Sequence, residues 1–276
     1  MSAPATPRTR TRVSVRVAWA RVRMRHPERG LVVAVVAAWL VLLALPSPPV
    51  APSSRPGTPA DAAPLPWSHH AGAVADGGLL LAVLVAGAWW LLMVVAMMGP
   101  VMVPRVRSVA QRCPGRVRTR AIAETLTGAL LVWMLVGAVV VPLAVLAPPL
   151  DARAAPWAFA GLWLAVVVWQ LAPLKERGLR RCHLVRLQLG AGTQSQVRPG
   201  ALYAGWCALS CGPAMAAMAL SGHTLAMMAV LTAGFVAERV AFRPRRAARL
   251  VAVAIAVAAA SELLVATLTA VPVSPA

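Results

Sequence analysis

The chain has 276 residues and a net charge of +19, yet 59% of them are hydrophobic and only 13% charged. The apolar residues come in long blocks instead of alternating with polar ones at strand or helix period, which points to lipid as the solvent. A nucleic-acid surface would gather basic residues on one polar face, whereas here they punctuate hydrophobic blocks, and four cysteines make no disulfide framework of a secreted module.

An α-helical span needs about 20 apolar residues to cross about 30 Å of hydrocarbon. A basic arm, residues 1–30, leads into a first short span at 31–46. The pair has the outline of a secretory leader, but its length and the lack of a small-x-small cleavage site favour a retained anchor. Residues 47–77, rich in Pro, Ala and Ser, read as an outer loop without a core of its own. A core of five spans follows within 78–242, at 78–104, 121–148, 157–174, 201–221 and 224–242, and residues 243–276 hold a last span at 249–272 and a tail. The blocks lack dyad alternation, so the expected fold is an all-α polytopic transmembrane bundle of about seven spans, not a barrel.

Orientation follows from the basic residues. All of the 27 Lys and Arg except Arg55 and Arg153 fall in the arm Arg8–Arg29, in Arg105–Arg120, in Lys175–Arg198 or in Arg239–Arg249. Placing those four segments in the cytoplasm requires an odd number of spans, with the N-terminus inside and the C-terminus outside. The location expected is a bacterial cytoplasmic membrane, with the lipid bilayer as the first partner.

The segment GALYAGWCALSCGPAMAAM, 200–218, puts Cys207, Cys211, Met215 and Met218 within an arc of about 80° on one helix face. Thiolate and thioether donors suit Cu(I), a soft cation that accepts few ligands. The same residues also serve as ordinary fillers of buried helices. Pro213 leaves the Leu209 carbonyl without its helical amide, between the two cysteines. The segment WWLLMVVAMMGPVMVPRVR, 89–107, carries Met93 and Met97 on one face and Met98 and Met102 on another, and exits at Pro104. Met97 lies about seven residues in from Pro104 and Cys207 about six in from Ala201, so sulfurs of neighbouring helices would meet at one level.

His69, His70 and His223 fall on the outer side, where a metal is first captured, and Cys182 with His183 forms a candidate delivery pair in the cytoplasmic segment. His26 has no visible counterpart. Glu124 and Glu238 lie near the basic edge beside Arg120 and Arg239 and read as salt-bridged, snorkelling side chains. Glu262, near the middle of the last span, must be neutral, face a wet cavity or pair with another helix. No phosphate-binding loop, His-x-x-x-His pair or nucleophile–base arrangement is present, so an enzyme is not expected.

Three segments, WLLMVVAMMGPVMVP at 90–104, WQLAPLKERGLRRCH at 169–183 and GALYAGWCALSCGPAM at 200–215 with Glu238 downstream, resemble a bacterial family of predicted metal-binding integral membrane proteins. That family is a domain of unknown function whose members are sometimes labelled copper chaperones, and the resemblance covers about residues 85–245. It implies roles for Gln170, Pro173, Lys175, Cys182, Cys207, Cys211 and Met215. It also implies cysteines where this chain has Gly178 and Ser210, a Trp where it has Gly212, and a Met-Asn pair where it has Thr224 and Leu225.

The leading expectation is a protein that binds Cu(I) between the spans at 78–104 and 201–221 through Cys207, Cys211, Met97 and Met215, and passes it to a metal-acceptor protein or receives it from a donor. Two other readings stand beside it. One is a non-metal assembly subunit whose Gly128, Gly137, Gly205 and Gly212 pack against partner helices. The other is a proton- or solute-coupled transporter built on Glu262. The metal, the partner and the oligomeric state stay open.

Overall fold

The computed structural model describes residues 27–44, 69–113, 115, 117–147, 150, 154–187, 195–222, 224–241 and 244–269, without the side chains of 69–77, 183–187, 244 and 269. Most of the basic arm and of the outer loop, His26, His223 and the tail after 269 lie outside the described residues. So do the side chains of His69, His70 and His183.

Each apolar block forms a helix because long runs of Leu, Val and Ala satisfy every backbone group internally. In chain order these are α1 Arg29–Ala44, α2 His69–Arg112, α3 Val117–Leu146 and α4 Ala154–Leu171, then α5 Pro173–Leu187, α6 Val197–Ser221, α7 Leu225–Val240 and α8 Pro244–Thr269. Among the described residues there is no strand. α2 breaks at Gly78, whose φ of 76° only glycine adopts readily, and that break coincides with the expected start of the second span.

Two segments differ from the sequence-based expectation. α2 does not end at Pro104 but runs on to Arg112, because proline removes only its own amide from the ladder, and Ser108 Oγ donates to the Pro104 carbonyl at 3.0 Å. The basic segment after α4 is not a plain loop: Pro173–Leu187 is a separate helix, α5, with a mean hydropathy far below that of the spans.

Five helical stretches are long and apolar enough to cross a membrane: Gly78–Arg112, Val117–Leu146, Ala154–Leu171, Val197–Ser221 and Arg245–Leu268. α1 and α7 have 16 residues each, so each is about 24 Å long, short of the about 30 Å of hydrocarbon. Leu43, Leu80, Leu135, Leu164, Leu250 and Val257 are exposed on the outside of the bundle, as lipid-facing side chains must be.

Polar contacts gather alternate helix ends. Arg107, near the end of α2, pairs with Glu28 just before α1 at 2.7 Å, and the Gln196 amide before α6 donates to Glu124 near the start of α3 at 2.7 Å. Arg245 at the start of α8 reaches Glu176 of α5 at 2.8 Å. At the opposite end Thr224, which caps α7, donates to Glu262 of α8, so Glu262 does pair with a second helix.

The closest helix contact is between α3 and α6. A Cβ on Gly128 would lie 2.1 Å from the Val197 carbonyl oxygen, and one on Gly200 would lie 2.3 Å from that of Thr125, so these two backbones touch. Gly137 makes room for Trp90, whose indole donates to the Trp133 carbonyl at 2.9 Å and ties α2 to α3. Gly128 and Gly137 are thus spent on packing within the chain, while Gly205 and Gly212 face open space.

Candidate metal centre

α6 brings Cys207, Cys211, Met215 and Met218 inward, all four at 2% exposure or less. The i, i+4 spacing of the first three explains the shared face. Met93 and Met97 on α2 are also fully buried in the same apolar cluster. α2 and α6 do not pack backbone to backbone, however. α3 lies against both, and the two are bridged by Tyr203, whose hydroxyl donates to the Val101 carbonyl at 3.2 Å. Methionine side chains occupy the intervening core, joined by Met98, Met102, Met227 and Met228, none of which was among the expected ligands.

The sulfur that stands against Cys207 is a thiol of α5, where the sequence had pointed to Met97 of α2. Cys182 Sγ stands 3.8 Å from Cys207 Sγ and also 3.8 Å from the Tyr203 carbonyl oxygen. Both cysteines are buried and free. Cys211 lies one turn deeper and is linked to the pair through Ser210, whose Oγ is 3.4 Å from Cys211 Sγ and donates to the Cys207 carbonyl at 3.0 Å. The fourth cysteine, Cys113, sits apart in a small cluster with Val109 and Ala121.

Arg239 was read as an interfacial cation and is instead part of this centre. Its Nη2 donates to Cys207 Sγ at 3.3 Å and to Ser210 Oγ at 3.1 Å, and the side chain is 7% exposed. Burial disfavours ionisation of the Cys182 thiol, but the hydrogen bond to Cys207 and the Arg239 guanidinium outweigh it, so its pKa falls below the ordinary thiol value.

Glu238 also departs from the snorkelling expectation. It is fully buried and accepts from Lys175 Nζ at 2.7 Å and from Gln170 Nε2 at 3.2 Å, while Lys175 also donates to the Gln170 side-chain oxygen. The Arg120–Glu124 pair, by contrast, forms as expected at 2.7 Å. Lys175 reached its site because α5 folds back against the bundle, and a cleft of about 270 Å³ lined by Glu176, Arg245 and Arg249 opens beside it.

Four positions carried by the resemblance therefore lie in two neighbouring buried networks, Gln170 and Lys175 with Glu238, and Cys182 and Cys207 with Arg239, connected through the consecutive residues Glu238 and Arg239 of α7. The two positions where cysteines are implied but missing also meet: a Cβ on Gly178 would lie 3.6 Å from that of Ser210. Among the described residues no three His, Cys, Asp or Glu side chains gather tightly enough to hold an ion by themselves. What the site offers is two convergent thiols, a third close by, and thioethers behind them, a donor set for a soft ion of low coordination number and not for a hard one.

Membrane-length apolar helices enclosing a core rich in buried cysteine and methionine define the class, a helical membrane protein. A family model described as PpoB2, copper chaperone, matches residues 87–261, and the chain belongs to that family. No curated protein and no solved structure matches it.

Proposed function

We propose that this protein carries Cu(I) as cargo, holding it between Cys182 and Cys207 and handing it to a partner protein without catalysing a reaction. The observation behind this reading is the 3.8 Å between two buried sulfurs on separate helices. With metal–thiolate bonds of about 2.3 Å, that separation corresponds to a sulfur–ion–sulfur angle of about 110°, which leaves one side open for a third soft donor. Cys211 and the core methionines are candidates for that position. A structural zinc site would close with four ligands, and the described residues gather no such set. The description of the family as copper chaperone supports copper as the cargo.

The surrounding topology suits the task. By the bias of basic residues towards the cytoplasm, the end bearing Cys182, Lys175 and Arg239 faces inward in a bacterial cytoplasmic membrane, with the five long apolar helices crossing, the shorter α1 and α7 crossing where the bilayer thins around them, and the C-terminus outside. From Cys207 to Met218 along α6 is a rise of about 16 Å, and the buried methionines continue the soft lining over that depth.

The test is the copper content of the full chain, purified in mild detergent and loaded with Cu(I) under reducing conditions. One ion per chain is expected, and Cys182→Ser combined with Cys207→Ser should abolish it. Copper retained unchanged by that double variant overturns the reading.

A further inference from the structure

Sulfur donors alone do not distinguish Cu(I) from a divalent thiophile such as Zn(II) or Cd(II), but the charge around the sulfurs does. Arg239 is more than nine-tenths buried, and its Nη2 points at Cys207 Sγ from 3.3 Å. Its Nε and Nη1 have no hydrogen-bond partner among the described residues, and no described carboxylate lies within ion-pair distance of it. The adjacent Glu238 is engaged by Lys175 at 2.7 Å, so those two charges offset each other.

The field at the sulfur pair is therefore positive. A buried cation left uncompensated is costly, so the contents of the site decide how well Arg239 is matched. Two thiolates with a monovalent ion carry one net negative charge, which Arg239 complements. Two thiolates with a divalent ion are neutral and leave the guanidinium unbalanced.

We propose that Arg239 makes the Cys182–Cys207 pair selective for a monovalent soft cation over a divalent one; the inference rests on the cargo reading above. One unit of charge seen from about 5 Å in a partly screened interior changes the relative affinity by on the order of a hundredfold.

The experiment uses the whole protein in detergent, with Ag(I) as a redox-stable monovalent probe, Cd(II) as the divalent one, and dithiothreitol as a competing reference dithiol. Relative to that reference, the wild-type chain is expected to favour Ag(I) over Cd(II) by about a hundredfold. Arg239→Gln should lose this margin and Arg239→Lys should keep most of it. A wild-type preference equal to that of the reference, or an undiminished margin in Arg239→Gln, overturns the charge role while leaving the thiol site standing. The wild-type comparison holds even if the glutamine variant does not fold. Ag(I) uptake unchanged by Cys182→Ser with Cys207→Ser overturns the cargo reading itself, and this inference with it.

Discussion

The ion pair between Lys175 and Glu238 offers a quantitative test of how the basic end is built. Their side chains are 1% and 0% exposed and lie 2.7 Å apart. Two charges withdrawn this far from water attract strongly but have each lost their hydration, so the pair as a whole adds little, while either charge alone is costly. Lys175→Met strands the carboxylate, with only Gln170 still donating to it, and should cost about 3–5 kcal/mol. Glu238→Gln strands the ammonium and should cost a similar amount. Combining the two removes both charges, and the double variant should recover at least about 2 kcal/mol relative to the sum of the single losses. The assay is a double-mutant cycle on purified protein, unfolded by graded denaturing detergent and followed by loss of helical circular dichroism. Strictly additive losses, or single variants within about 0.5 kcal/mol of wild type, as for surface substitutions, would show that the two groups are not a buried pair.

Gly128→Ala should prevent the α3–α6 contact, because the added methyl would meet backbone at 2.1 Å, whereas Gly205→Ala, with nothing within 4 Å, should be neutral or slightly stabilising; thermal unfolding of the two variants separates the cases. Gly178→Cys with Ser210→Cys should cross-link under mild oxidation, since 3.6 Å between Cβ positions suits a disulfide; failure to cross-link, read by mass spectrometry, would mean that α5 does not dock on α6 in this register. Hydrogen bonds from Arg245 and Arg180 hold the Glu176 carboxyl below the ordinary carboxylate range. A depressed pKa contributes stability that is present above the unfolded glutamate value and lost as pH falls through the folded one, so the protection of the 173–187 amides relative to their intrinsic exchange rates should fall on acidification, and Glu176→Gln should abolish that pH response.

The sequence exposed some of these features and hid others for physical reasons. The spans were legible because hydrocarbon imposes a length and a composition on any helix that crosses it, and the break in α2 at Gly78 falls where the second span was expected to begin. That Cys207, Cys211 and Met215 share one face followed from helical period, and the structure turns that face inward. What period cannot reveal is which other helix supplies the facing group. Cys182 was placed in a loop as a delivery residue because α5 is too polar to resemble a span, yet α5 folds back and sets that thiol against Cys207. Glu238 and Arg239 were assigned to the interface because charges near a basic edge usually reach water. Their partners, Lys175 and Cys207, are 63 and 32 residues away, and no local signal encodes such pairings. The resemblance carried Gln170, Lys175 and Cys182 together, and the structure buries all three side chains.

The two thiols of the centre do not share a mechanical footing. Cys207 is built into α6, which α3 grips through bare backbone contacts at Gly128 and Gly200, whereas Cys182 rides on a 15-residue helix held mainly against one face of α6. Prising that short helix away would break the buried Lys175–Glu238 pair and the Glu176–Arg245 contact, while the backbone contact between α3 and α6 stays in place. On the cargo reading, the hold on an ion is therefore set by how firmly one short helix docks, and the centre opens by undocking that helix and not by rearranging the bundle.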